Sequence, residues 1–390
     1  MIYSNSPLTQ SGYGKQTKLL LDQMHKAGLR TAVAANFGAD TGFSKYTTRW
    51  GDTVIYPRDF SKWGAAALDK NYRHFREQSS NPGMLITLFD VWPLAEYKAL
   101  DQIQIHAWTP CDHAYIIPAV KNFLDKENIH PIAMAPDGHE QMKSAQIKST
   151  YIPHAVDTSV YFPGAEADGK TGKDYMGIDS DRFVFGTVAA NKANGQVHRK
   201  ALAEIIMAFG QHVQKHPKSL LYLHTYIQRD MGGFEINRLL QVNGIKPENV
   251  LMPDPFRLSH GFSDKEMAAI FNAMDCYLGP SYGEGFQVPL IEAQACGIPG
   301  IASRFTAPKD LVSEDWIQVE GQLFWDEAQG SYWQIPSVGQ IMNAMDQMVE
   351  RKTDAEIKSQ KSLDFSKQFD VEVVWNKNWK PYIKANLALD

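Results

Sequence analysis

Between Gly279 and Gly300 the chain reads GPSYGEGFQVPLIEAQACGIPG. The segment opens at the end of a short apolar run, Cys276-Tyr277-Leu278-Gly279, and closes in a helical pattern that stops at Gly297. Pro289 sits near the start of that helix, where its missing N–H costs nothing. Glu284 lies in the turn, bare of side chains on either side because Gly283 and Gly285 flank it, and Glu292 follows eight positions later on the helix. N–H groups at a helix start hold anions, and the macrodipole assists. One carboxylate at such a turn and a second on the helix suit a ligand rich in hydroxyls near a phosphate, because ionised carboxylates accept strong hydrogen bonds from diols.

Outward from this segment the same rhythm repeats: an apolar run, a turn, an amphipathic stretch. Met84–Phe89, Ile103–Trp108, Phe183–Ala189 and Leu220–His224 are further runs of strand length. Between them, Lys15–Ala27 carries Leu20, Leu21 and Met24 at helical spacing, and Lys200–Lys215 carries Leu202, Ile205, Ile206, Phe209 and Val213. Ser263 with Glu266 forms a capping-box pattern ahead of Asp264–Met274. Buried parallel strands joined by crossover helices are expected, an α/β architecture. Pro153, Pro163, Gly164, Gly169 and Gly172 break the pattern midway, so two domains are predicted, residues 1–160 and 161–371, with a tail from 372 to 390.

The chain has 390 residues, 44% hydrophobic and 21% charged, with 39 basic against 44 acidic side chains and a formal charge of −5. Such a composition excludes disorder and a small disulfide scaffold, and it offers no global basic field for nucleic acid or an anionic membrane. Three scattered cysteines, Cys111, Cys276 and Cys296, make no C-x-x-C pair and fit a reducing compartment. No apolar stretch approaches a membrane span and no signal peptide opens the chain, so a cytoplasmic protein is expected.

Glu284, seven intervening residues and Glu292, followed by Ala-Cys-Gly-Ile-Pro, resemble the signature of the retaining GT-B glycosyltransferases of family 4, the glycosyl transferases group 1. Further matches run in order along the chain. Ser11-Gly12-Tyr13-Gly14 is similar to the family's first glycine-rich loop, Tyr151–Pro163 to its crossover between domains, and His198-Arg199-Lys200-Ala201 to its phosphate-binding turn. The resemblance implies two Rossmann-like domains facing each other across a cleft that closes on substrate. It also implies a C-terminal helix, with Trp375, Trp379 and Tyr382, crossing back to the first domain. The donor would lie mainly on residues 161–371 and the acceptor mainly on 1–160.

The implied reaction is transfer of a hexose, with retention, from a nucleotide diphosphate sugar (UDP-glucose or GDP-mannose) to an acceptor hydroxyl. Glu284 would contact the sugar hydroxyls and Glu292 the ribose. Backbone N–H groups of Gly285, Phe286 and Gln287 would meet sugar and diphosphate, with Leu290 and the glycine loop of Gly12 and Gly14 completing the donor site. Lys200, with Arg199, would neutralise the departing diphosphate, whose growing charge fixed cations and N–H dipoles stabilise. The family's usual Arg after the first strand of the second domain is replaced here by Asn191-Lys192, leaving its role to Lys192, Asn191 or Arg199. His113, with Asp112, would face the sugar near the acceptor, and Asp90 would orient an acceptor hydroxyl.

No metal and no cofactor beyond the donor are expected. Asp179-Ser180-Asp181 matches a D-x-D metal signature but sits in a polar loop before a strand, and is read as a coincidence. The histidines show no H-E-x-x-H or other ligand spacing. Residues 43–76 interleave Lys45, Arg49, Arg58, Lys62, Lys70, Arg73 and Arg76 with aromatic side chains such as Tyr46, Trp50, Phe60, Trp63, Tyr72 and Phe75, a pattern that fits a packed α/β pair, a sugar acceptor or single-stranded nucleic acid. Nucleic acid is possible but not favoured as a partner. The rival readings are a transferase acting on a modified nucleic-acid base or a protein, and a non-catalytic nucleotide-sugar-binding protein on the same fold.

Overall fold

A computed structural model describes all 390 residues except 41, 194–196, 228–231, 352–358 and 388–390. The chain forms two compact units. Unit 1 comprises Met1–Ala155, Glu327–Ser331 and Phe369–Asp390; unit 2 comprises Val156–Asp326 and Tyr332–Gln368.

Unit 1 is built on an eight-stranded sheet: β1 (Ile2–Asn5), β2 (Thr31–Phe37), β3 (Ser44–Thr48), β4 (Gly51–Tyr56), β5 (Leu85–Leu88), β6 (Ile105–Thr109), β7 (Ile129–Ala133) and β8 (Thr150–Tyr151), ordered β3-β4-β2-β1-β5-β6-β7-β8. Every pairing is parallel except β3 with β4, an antiparallel edge. The apolar runs are central because both faces of a parallel sheet are covered. Tyr3, Ala34, Leu85, Ile105 and Ala107 lie in one core cluster with Leu68, Phe75 and Phe123 from the covering helices.

The end of the chain belongs to this unit. Trp375 and Trp379 are buried, Trp379 meets Trp108 edge-on at 4.9 Å between ring centres, and the Tyr382 hydroxyl lies 2.8 Å from His106 Nδ1. Glu372 joins Gln23 at 2.9 Å and Lys26 at 2.6 Å. The predicted return of the tail is thus present, apart from its last three residues, which lie outside the described ones. Trp379→Ala is expected to destabilise the protein by about 3–5 kcal/mol, the usual cost of emptying a large aromatic site. Urea unfolding checks this, and an unchanged midpoint would contradict the packing.

Unit 2 begins with a short antiparallel hairpin, β9 (Glu166–Ala167) and β10 (Lys170–Thr171). Its main sheet contains β11 (Phe183–Val188), β12 (Ser219–His224), β13 (Val250–Leu251), β14 (Cys276–Gly279), β15 (Gly300–Ser303) and β16 (Ile317–Val319). All are parallel, in the order β13-β12-β11-β14-β15-β16. In order of appearance this is 3-2-1-4-5-6, the doubly wound arrangement of dinucleotide-binding folds. Helix Leu202–Lys215 buries the five apolar residues whose spacing predicts it, and helix Val338–Arg351 adds Ile341, Ala344, Met345 and Met348 to the same core. The capping box at Ser263 forms as expected, with the Glu266 carboxylate accepting from the Ser263 N–H at 2.8 Å.

Candidate active site

A doubly wound sheet opens a crevice where its strand order reverses, outside the carboxyl ends of the two strands that diverge there. In unit 2 those strands are β11 and β14. The residues after β14 are Pro280–Gln287, and those after β11 lead to Arg199-Lys200. The two loops are stitched together: the Tyr282 N–H donates to the Arg199 carbonyl at 2.8 Å, and the Arg199 guanidinium donates to the Gly283 carbonyl at 3.0 Å.

Glu284 sits at the centre, 4% exposed. Arg199 Nη1 reaches one carboxylate oxygen at 2.6 Å, Lys200 Nζ reaches the other at 2.5 Å, and the Glu284 N–H donates to Thr306 Oγ1 at 3.0 Å. Burial alone would raise the carboxyl's pKa, but the two cations outweigh it and hold it at about 2. The clamp therefore stabilises the fold fully above the ordinary value of 4.5, and that contribution is lost as pH falls towards 2. Lys200 is shifted the other way. Desolvation first, then the Arg199 charge, lower its ammonium to about 8 against the opposing pull of Glu284.

Lys192 is exposed, and its charge also reaches Lys200. Asn191 is committed to the backbone of a neighbouring loop: its amide donates to the Tyr226 and Phe234 carbonyls at 3.0 and 2.8 Å and accepts from the Phe234 N–H at 2.8 Å. Of the two residues standing where an Arg was expected, only Lys192 thus adds charge to this cluster.

The helix carrying Glu292 runs Val288–Ala295, with Pro289 near its start as expected and Gln287 in a left-handed conformation (φ 73°) as its N-cap. Helix Leu202–Lys215 likewise starts from a left-handed residue, Ala201 (φ 54°). Such conformations cost about 1 kcal/mol or more for residues other than glycine and collect at functional sites. Gly285 and Phe286 lead into the first turn, where Pro289 has no N–H to leave unpaired and the Leu290 N–H donates to the Gln287 carbonyl at 3.0 Å. Phe286 and Leu290 are both buried; the Leu290 side chain packs so closely on Gly279 that a Cβ there would stand 2.9 Å away.

Glu292 is 4% exposed. Its charge, after burial, is the main cause of the raised pKa of Tyr161, whose hydroxyl bonds to it. The charges of Glu284 and Glu292 both act on the buried Tyr277 phenol, so the two acids share one neighbourhood. Tyr161 is a residue the sequence offers no means of assigning, because it lies 131 positions from its partner. The same holds for the bond from the Tyr282 hydroxyl to Glu204 at 2.7 Å.

The other predicted residues lie in unit 1. The Ser11 side chain caps helix Gly12–Lys26 by accepting from the Gly14 N–H at 3.1 Å. A Cβ on Gly14 would stand 2.7 and 2.8 Å from the Thr9 and Ser6 carbonyl oxygens, whereas one on Gly12 would meet nothing within 4 Å. Packing of the chain on itself therefore demands glycine at 14 and not at 12. Gly14→Ala is expected to cost about 1–3 kcal/mol, and Gly12→Ala, at a helical position, nothing. Thermal melts of the two variants check this, and equal melting temperatures would contradict it.

His113, buried after β6, pairs through Nδ1 with Asp112 at 2.8 Å, and its carbonyl accepts from Gln141 at 2.9 Å. Asp90 follows β5. Within residues 43–76, Arg49 stacks on Trp50 at 4.1 Å, and Lys62 stands over Trp63 and Trp92 at 5.7 and 6.0 Å. In unit 2, Asp181 of the D-x-D triplet pairs with Lys218 at 2.7 Å. Among the described residues, no helix is long and apolar enough to cross a membrane.

Residues 195–330 match the family described as glycosyl transferases group 1. The D-inositol 3-phosphate glycosyltransferase of Corynebacterium jeikeium (strain K411) is 26% identical over 201 residues, which make up 46% of this chain and 45% of that protein. The chain spans about half the length, or less, of the curated relatives it matches. Its fold is shared along 99% of its length with sucrose-phosphate synthase from Thermosynechococcus elongatus (TM-score 0.75, 16% identity, 98% of that chain). Anabaena HepE, solved in complex with UDP and glucose, gives a TM-score of 0.68 at 13% identity over 98% of each chain. The chain therefore has the fold of the GT-B glycosyltransferases, and its residues 195–330 match the glycosyl transferases group 1.

Proposed function

We propose that the protein is a retaining glycosyltransferase of family 4 that moves a hexose from a nucleotide diphosphate sugar to an acceptor hydroxyl. One observation carries the reading. Arg199 and Lys200 converge on one buried carboxylate at the switch point of a dinucleotide-type sheet, beside the start of helix Val288–Ala295. Two cations with a helix N-terminus form a diphosphate site, and Glu284 occupies its cations as a competing anion. A bound diphosphate draws Lys200 and Arg199 towards itself and leaves the carboxylate to accept hydrogen bonds from the sugar.

In the reaction the acceptor oxygen bonds to the anomeric carbon as the bond from that carbon to the phosphate oxygen breaks. The acceptor's proton passes to the leaving phosphate. No residue is needed as a covalent nucleophile. Lys200 and Arg199, with the N–H groups of Gly285, Phe286 and Gln287, stabilise the charge that grows on the leaving group. Glu292 holds the ribose. We assign acceptor recognition to unit 1, with His113 and Asp112 as its polar residues. The likeness to HepE with UDP and glucose supports UDP-glucose as donor, with GDP-mannose the alternative. The Corynebacterium relative, by its name, supports a hydroxyl acceptor.

Incubation with a panel of nucleotide sugars, with and without polyol and sugar acceptors, tests this. UDP or GDP is expected to be released, with the product's anomeric configuration matching the donor's. Binding with no turnover of any donor would instead favour a nucleotide-sugar-binding protein.

A further inference from the structure

At the opposite end of the unit 2 sheet from Glu284, three side chains meet that the proposed reaction does not use. His212 lies on the last turn of helix Leu202–Lys215, His216 immediately follows that helix, and Asp346 comes from helix Val338–Arg351. Asp346 Oδ1 is 2.6 Å from His212 Nδ1 and 3.6 Å from His216 Nε2. The imidazoles stack at 4.6 Å between centres and 21° between planes, so both present a ring nitrogen to one oxygen. One ligand atom from each residue falls within a 4.8 Å span.

An ordinary His–Asp hydrogen bond explains His212 but gives no reason for a second imidazole turned to the same oxygen. The surroundings are those of a ligand set. His212 is fully buried, and its Nε2 lies 3.0 Å from Ser219 Oγ at the start of β12. The second oxygen of Asp346 accepts from Lys215 at 2.8 Å. Ligating histidines and carboxylates have their remaining polar atoms held in this way. Atoms about 2.0–2.2 Å from a tetrahedral ion stand roughly 3.3–3.6 Å apart. The His216–Asp346 pair already has that spacing, and the His212–Asp346 pair must open by less than about 1 Å.

We propose that His212, His216 and Asp346 bind a divalent transition metal, zinc by the chemistry of two imidazoles and a carboxylate, with water as the fourth ligand. The ion clamps helix Leu202–Lys215 to helix Val338–Arg351. To ligate through Nδ1, the neutral His212 ring moves its proton to Nε2, where the Ser219 hydroxyl turns to accept it. The four-residue spacing of the two histidines, one on the last turn of the helix and one just past its end, is a ligand spacing after all, visible only once a carboxylate from another helix is opposite it. This site is independent of the proposed transferase chemistry.

Calorimetric titration of chelator-treated full-length protein with zinc tests the assignment, with melting temperature as a second readout. One zinc per chain and a raised melting temperature are expected. His216→Ala and the near-isosteric Asp346→Asn should each weaken binding at least about tenfold and abolish the rise in melting temperature. Wild-type protein that takes up no zinc at micromolar concentrations, or variants that bind it as tightly as wild type, would overturn the proposal.

Discussion

Lys200→Ala is expected to lower kcat with the nucleotide sugar donor by about 10²–10³-fold, the range found when one fixed donor to a developing anion is removed. The loss should fall on kcat more than on KM, because the leaving oxygen carries more charge in the transition state than in the bound donor. The lowered pKa adds a second signature. With the ammonium at about 8 in the free enzyme, kcat/KM should decline as pH rises past 8, since the deprotonated amine no longer neutralises phosphate. A guanidinium stays charged throughout, so Lys200→Arg, slower at neutral pH because its geometry differs, should lack that alkaline limb. Rates within threefold of wild type in the alanine variant, or an unchanged limb in the arginine variant, would remove Lys200 from the chemistry.

Glu284→Ala should cost turnover a comparable factor, about 10²–10³, but with the opposite effect on product binding. In the unliganded protein Glu284 holds both cations, at 2.6 and 2.5 Å. Any diphosphate must compete with it. Removing the carboxylate takes away the sugar's hydrogen-bond acceptor and frees Arg199 and Lys200 for phosphate. Nucleoside diphosphate alone should therefore bind the variant at least as tightly as wild type, while kcat collapses. A merely structural carboxylate, whose loss disorders the loop, would weaken both together. Parallel titrations of wild type and variant with UDP and GDP separate the two accounts, and a variant that binds neither would refute this one.

What the sequence alone conveys is uneven, for physical reasons. The central strands β5, β6, β11, β12 and β14 are legible because a strand covered on both faces is apolar throughout. Strand β7, Ile129-His130-Pro131-Ile132-Ala133, hides behind a polar residue and a proline, which usually argues against a paired strand. The edge strand β3 alternates half-buried with exposed residues and shows no apolar run, and only the last two residues of β4, Ile55 and Tyr56, are consecutively buried.

The site divides in the same way. Glu284, Glu292 and the Arg199-Lys200 turn stand out because their glycine and helix-start context is local. That Glu284 is bridged by both cations, that Tyr161 bonds to Glu292, and that Asn191 is spent on the carbonyls of Tyr226 and Phe234 are contacts across scores of residues. No local pattern encodes them. Gly14 is the instructive case: the glycine is visible in the sequence, but the carbonyls of Ser6 and Thr9 that require it appear only in the fold.

The central claim is that a diphosphate displaces Glu284 from its cations. A crystal structure with UDP or an unreactive donor analogue addresses it directly. The account predicts diphosphate oxygens within about 3 Å of Lys200 Nζ and the Arg199 guanidinium, with at least one of these cations drawn away from Glu284. A nucleotide bound elsewhere on the chain, with both cations still closed on that carboxylate, would contradict it.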